Sequence, residues 1–278
     1  MNVQQSEDTS EAIAVSILIP VYGVEDYIER CARSIFEQTY PNIEYIFCDD
    51  CSPDQSISVL RRVMKDYPLR AKHTRILRHK KNRGLAAARN TLVEACRTDW
   101  LMHVDSDDWV EHDAVSLLVK KQSKTKADIV WGDLIKRSHQ KEEYVTNPDA
   151  TYKKDIICKL LDCTVFHHIC GKLIRKSIYD DFNIKAVDGI DMGEDWYVVI
   201  PLYYHATEYA KVNHCIVHYE RRRSQALTAK RERLDVNYLQ SDYPAVDIIW
   251  SFLENIETSW KQYLVNNTFN RLKINELH

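Results

Sequence analysis

The chain has 278 residues, 45% hydrophobic and 28% charged, with a formal net charge of -3, which excludes wholesale disorder and leaves room for a substantial core. The near-balanced charge gives no field for nucleic acid, and the locally basic stretch 72–83 lacks the interleaved aromatics that stack on bases, so it reads as a solvated loop. No apolar run approaches the roughly 18 residues of a membrane span, residues 1–12 have no basic region leading into an apolar one, and the scattered cysteines fit reduced thiols, so a soluble, cytoplasmic protein is expected.

Residues 15–19 are a β-branched and apolar run closed by Pro20, which predicts a buried strand. Tyr27, Ile28, Cys31, Ile35 and Phe36 then recur at near-helical spacing through 25–38. Strands are expected at 43–48, 74–77 and 100–104, and helices at 56–67 and at 83–95, where Ala and Leu dominate. Strands alternating with helices point to a mostly parallel, doubly wound sheet with helices on both faces. Further on, the pattern predicts a helix over 109–122, a strand over 128–132, polar connections over 136–149, helices at 152–161, 177–182 and 194–205, and a strand over 210–218. Helices over about 230–240 and 245–264 would form a C-terminal appendage.

The run His103-Val104-Asp105-Ser106-Asp107-Asp108-Trp109 places three carboxylates directly after an apolar segment. Asp105 and Asp107, two apart at the mouth of a strand, can turn toward one hard cation; Mg²⁺ or Mn²⁺ held by one or two carboxylates typically completes its shell with water and substrate phosphates. The plainer alternative is an acidic turn in which Asp108 caps a helix starting at Trp109. Open parallel sheets bind ligands beyond the carboxyl ends of their strands. Asp49 and Asp50 after the second strand, Asn82 and Arg83 after the third, and the aspartate cluster after the fourth all fall on that rim. None of the six glycines forms GxGxxG, and there is no GxxxxGK[ST] phosphate loop, which counts against dehydrogenases and P-loop enzymes.

The order VSILIPVYGVEDYIERCARSIFEQTYPNIEYIFCDDCSPD, NRGLAAARN, HVDSDDW and MGEDW resembles the inverting glycosyltransferases of family 2, across about residues 15–228. The resemblance implies the GT-A fold, a nucleotide-sugar donor, a divalent metal (Mn²⁺ or Mg²⁺) and transfer of one sugar with inversion. It divides the chain into a tail at 1–14, a catalytic domain at 15–228 with a donor half of about 15–132 and an acceptor half of about 133–228, and a helical region at 229–278. Position by position, Pro20 and Tyr22 match the first strand's opening onto the nucleotide, with Glu25 near the base and ribose. Asp49 and Asp50 match the acidic pair after the second strand, Asp50 being the expected nucleobase contact. Asn82, Gly84 and Arg89 match the loop and helix beneath the donor. Asp105, Ser106 and Asp107 match the DxD signature, with Asp107 the direct metal ligand and Asp105 nearer the ribose or sugar.

Glu194 and Asp195 match the family's ED pair, which implies Asp195 as general base; inverting transfer needs one, because the acceptor hydroxyl must lose its proton as it attacks. Asp195 could instead serve only the helix N-terminus. His218-Tyr219-Glu220-Arg221-Arg222-Arg223-Ser224 resembles the basic loop over the diphosphate, with Arg222 and Ser224 as its contacts and His218 as a further metal candidate. Lys172 falls at a position often basic in these enzymes.

Other patterns carry plainer readings. Cys48 and Cys51 form a CxxC without a second pair, and the family commonly has glycine at the second position, so Cys51 reads as a small turn residue. His214 and His218 have helical zinc spacing but lie in a strand-like run. Trp109 and Trp196, each following an acidic motif, either stack on sugars or pack the core. The apolar stretch 248–260 would dock on the core, pair with a second subunit, or lie at the inner face of a membrane. The resulting expectation is a glycosyltransferase using a UDP-sugar and a glycan or lipid-linked saccharide acceptor. The alternatives are a nucleotidyltransferase on a related sheet, for which residues 21–26 supply only Gly23, and a catalytically silent nucleotide-sugar binding protein.

Overall fold

A computed structural model describes residues 13–139, 141–149, 153–161, 168–189 and 194–222. The expected helices beyond residue 228, and with them the apolar stretch 248–260, lie outside the described residues. Nine strands among those described form one sheet: β1 (Val15–Val21), β2 (Ile43–Asp49), β3 (Thr74–Arg78), β4 (Trp100–His103), β5 (Trp109–Val110), β6 (Ile129–Arg137), β7 (Glu142–Val145), β8 (Leu173–Arg175) and β9 (Tyr209–Glu220). Their spatial order is β3-β2-β1-β4-β8-β6-β9-β5, with β7 on β6. The first four are mutually parallel, β8 runs antiparallel to β4 and β6, β9 is parallel to β6, and β5 is antiparallel to β9.

Strand residues alternate between two cores, as a period of two requires. Ile17, Ile19, Tyr45 and Phe47 face the layer of α1 (Ile28–Phe36), α2 (Ser56–Asp66) and α5 (Ala114–Thr125). Leu18, Ile46 and Leu101 face α4 (Leu85–Ala95), α6 (Lys153–Leu161), α7 (Lys176–Asp181) and α8 (Glu194–His205). A short α3 (Pro68–Ala71) precedes β3. No helix among the described residues is long and apolar enough to cross a membrane.

The largest departure from the sequence reading is at Trp109. The expected helix over 109–122 begins only at Ala114, and Trp109 and Val110 instead pair with His218 and Val217 of β9. Asp108 therefore caps no helix: its Oδ1 accepts the backbone N–H of Glu220 at 2.8 Å. Pairing across more than one hundred residues overrode the local helical pattern. β7 and β8 were not foreseen; β8 has three residues and exists because it fills the gap between β4 and β6.

Two backbone positions carry opposite expectations. At Gly132 the β6–β9 register shifts, and an added Cβ would lie 2.4 Å from Ile216 Cγ1 and 2.6 Å from the His214 carbonyl. Gly132→Ala should cost about 1–3 kcal/mol through overpacking. Cys51 sits at φ 60°, left-handed backbone that disfavours a Cβ. Cys51→Gly should be neutral to stabilising by up to about 1 kcal/mol. Thermal denaturation of both variants checks this pair, and a stabilised Gly132→Ala would contradict the packing account.

Candidate active site

The site forms where the parallel strands end. Beyond β2, Asp49 Oδ1 accepts Ser52 N–H at 2.8 Å, and its other oxygen pairs with Arg78 at 3.3 Å. Asp50 is 2% exposed; its oxygens accept the backbone N–H groups of Arg83 (2.9 Å) and Gly84 (2.8 Å) and lie 2.6 Å from His79 Nδ1. Asp50 thus holds the β3–α4 loop in place. The carboxylate requires the proton on Nδ1, and His79 Nε2 lies 2.9 Å from Thr91 Oγ1. Gly84, at φ 89°, is the residue before α4, and its N–H also meets Asn82 Oδ1 at 3.2 Å.

The loop after β1 is tied to the loop after β2. Glu25 accepts Gln55 N–H at 2.9 Å, Asp54 accepts Glu25 N–H at 3.0 Å, and Val24 N–H donates to Ser56 Oγ at 2.9 Å. Pro20 lies past the last β1–β4 pair, and Tyr22 projects from the rim, 45% exposed.

Arg89, from buried α4 and only 5% exposed, connects the DxD turn to the ED helix. Its Nη2 donates to both oxygens of Asp105, at 3.0 and 3.3 Å, and its Nη1 donates to Asp195 Oδ1. Asp195 also accepts the backbone N–H of Ile169. Burial pushes the Asp195 carboxyl above the ordinary carboxylate range, Arg89 opposes this, Asp105 adds to it and Lys172 opposes it. Lys172 is buried, donates from Nζ to the His168 carbonyl at 2.5 Å, and is brought down to about 8 by burial.

On the same turn Asp107 is partly buried and Ser106 buried. Burial, then the charges of Asp107 and Asp105, push the buried Asp108 carboxyl well up. Arg30 Nη2 bonds both the Asp107 carbonyl (3.0 Å) and Glu220 Oε2 (3.1 Å), pinning the end of β9 beside the turn. That pin brings Arg222 to this rim, with Nε 2.7 Å from Glu220 Oε1. Burial raises the Glu220 carboxyl, but bonds from Arg222 and Arg30 outweigh it and hold it at about 2. Ser224 and the side chains of Glu194 and Trp196 lie outside the described residues.

Both ring nitrogens of His218 have protein partners. Arg137 Nε donates to its Nδ1 at 3.2 Å, so Nε2 carries the proton and gives it to Glu111 Oε1 at 2.6 Å. Burial further disfavours its charged form. Glu111, Cys215 and His218 bring potential ligand atoms within 4.8 Å of one another, but a metal on Nε2 would force a proton onto Nδ1 against an Arg donor. Trp109 stacks on His218 (4.8 Å between centroids) and carries Arg30 at 3.6 Å, so its ring packs the turn. The signal missed in the sequence was Arg30, a surface-patterned arginine whose role depends on β9.

A model of glycosyl transferase family 2 matches residues 16–182. The uncharacterized glycosyltransferase EpsJ of Bacillus subtilis is 36% identical over 191 residues, 65% of this chain and 53% of EpsJ. Chondroitin synthase of Escherichia coli is 39% identical over 103 residues, 37% of this chain and 14% of that protein. The chain thus spans about half the length of EpsJ and a small part of the synthase. The crystal structure of S. aureus TarS 1-349 in complex with UDP-GlcNAc superposes with a TM-score of 0.75 at 16% identity, covering 94% of this chain and 73% of that one. The mixed, mostly parallel sheet and this likeness make the fold GT-A type. With a family match over residues 16–182, more than half of the chain, the chain belongs to glycosyl transferase family 2.

Proposed function

We propose that this chain is an inverting, metal-assisted glycosyltransferase that moves one sugar from a UDP-sugar to a hydroxyl of a glycan or lipid-linked saccharide, with Asp195 as general base. The observation that carries the reading is the Arg89 guanidinium, which binds Asp105 on the donor side and Asp195 on the helix opposite it. Base and donor carboxylate then belong to one hydrogen-bonded unit. TarS, bound to UDP-GlcNAc, supports a UDP-sugar, and the chondroitin synthase match supports a saccharide acceptor. On this reading residues 15–132 hold the donor and 133–228 shape the acceptor cleft.

In the reaction the acceptor oxygen attacks the anomeric carbon from the face opposite the diphosphate. Its new bond to carbon forms as the bond from carbon to the phosphate oxygen breaks, and that electron pair leaves with UDP. The hydroxyl proton passes to an Asp195 oxygen. The donor set fits a hard divalent ion: Asp105 already receives Arg89 on both oxygens, so Asp107 is the carboxylate to hold it, and diphosphate oxygens would complete the shell. Bound there, the ion supplies positive charge against the leaving group. Arg222 stands at the same rim to meet the diphosphate in exchange for Glu220.

Asp195→Asn should reduce transfer about 10²–10⁴-fold while UDP binding survives. Because the base must be ionised and burial raises its pKa, wild-type turnover should fall on the acid side at a pH above the ordinary value of 3.8. Thermal-shift titrations with UDP, GDP, CDP and dTDP and UDP-GlcNAc, UDP-glucose, UDP-galactose and UDP-glucuronate, each with Mn²⁺, Mg²⁺ or EDTA, identify the donor; the metal-dependent shift should vanish in Asp107→Ala. Full turnover in Asp195→Asn would overturn the base assignment.

A further inference from the structure

We propose that Arg89 is the positioning residue of this reaction, the group that sets where the Asp195 carboxylate stands relative to Asp105 without itself touching the reacting atoms. The inference rests on Asp195 being the base. Arg89 enters from α4 between Ala86, Ala88 and Leu92, all buried, so the guanidinium stands on a rigid element. Its two terminal nitrogens are divided between the carboxylates, Nη2 on Asp105 and Nη1 on Asp195. A planar fork fixes both in one plane, whereas the point charge of a lysine cannot hold two carboxylates at a set separation.

The other contacts to Asp195 do not do this. Ile169 offers a backbone N–H to that carboxylate, and Lys172 spends its ammonium on the His168 carbonyl. Ile169 thus holds Asp195 to the segment before β8, and Lys172 acts on it through charge alone. Arg89 ties it across the cleft to the turn that holds the donor, so the path from acceptor proton to base is registered against the donor. A misplacement of about 1 Å at such a point can cost about 10²-fold in rate.

The test uses Arg89→Lys, Arg89→Ala, Asp195→Asn and the double variant Arg89→Lys/Asp195→Asn. Two quantities are read: UDP affinity by calorimetry with Mn²⁺, and kcat for UDP release from whichever UDP-sugar of the panel above turns over fastest. Arg89→Lys should lower kcat about 10²-fold with UDP affinity changed no more than about twofold. In the Asp195→Asn background the same change should cost no more than about twofold, and methylguanidinium should restore part of the kcat lost in Arg89→Ala. If Arg89→Ala does not fold, Arg89→Lys and the double variant carry the decision. A fall in UDP affinity that accounts for the whole loss, or losses that multiply in the double variant, would overturn the positioning role. Full activity in Asp195→Asn would instead remove the base reading, which separates the two failures.

Discussion

A guanidinium shared by two carboxylates is the interaction around which the rim is arranged. Arg89 is buried, and both partners are more than two-thirds shielded, so the pair energies are not those of surface salt bridges. Taking such charges out of water is costly, and Asp195 offsets part of it with a second bond, from the Ile169 N–H. Removing the arginine would leave two like charges facing each other, a loss on the order of 3–5 kcal/mol. The bridge also joins distant segments, since Asp105 lies in the turn after the fourth strand, Arg89 on the helix before that strand and Asp195 in the first turn of a helix ninety residues later.

Around that bridge, acidic side chains that look alike in sequence divide into three arrangements. Asp50, Asp54, Asp108 and Glu25 accept backbone N–H groups and shape loops. Because a buried N–H without an acceptor costs more than a hydrogen bond returns, carboxylates at strand ends are first recruited to satisfy backbone. Asp105, Asp107 and Asp195 are half-buried, and Asp105 and Asp195 take the Arg89 guanidinium. Glu220 belongs to a third arrangement, a carboxylate locked between Arg30 and Arg222 that ties β9 to the aspartate turn.

The parallel half of the sheet was legible because its strands are short apolar runs and its Ala-rich helix has strong propensity, both local signals. The motifs fixed which loops meet, and the bridging residues Arg89, Asp105 and Asp195 were all singled out from them. What local pattern could not supply was anything decided by partners far along the chain. Trp109 pairs with His218, so the expected helix start became a strand and a sugar-stacking candidate became packing. His218 is held between Glu111 and Arg137. Asp50 takes the N–H groups of Arg83 and Gly84. In each case the residue type was informative and its orientation was not.

The most direct test of the central claim is a crystal structure with UDP and Mn²⁺ bound, with anomalous scattering recorded for manganese. The account predicts a manganese peak beside Asp107 and the diphosphate, with Arg89 still spanning Asp105 and Asp195. A nucleotide bound away from that rim, or Arg89 turned from Asp195 onto the diphosphate, would contradict it.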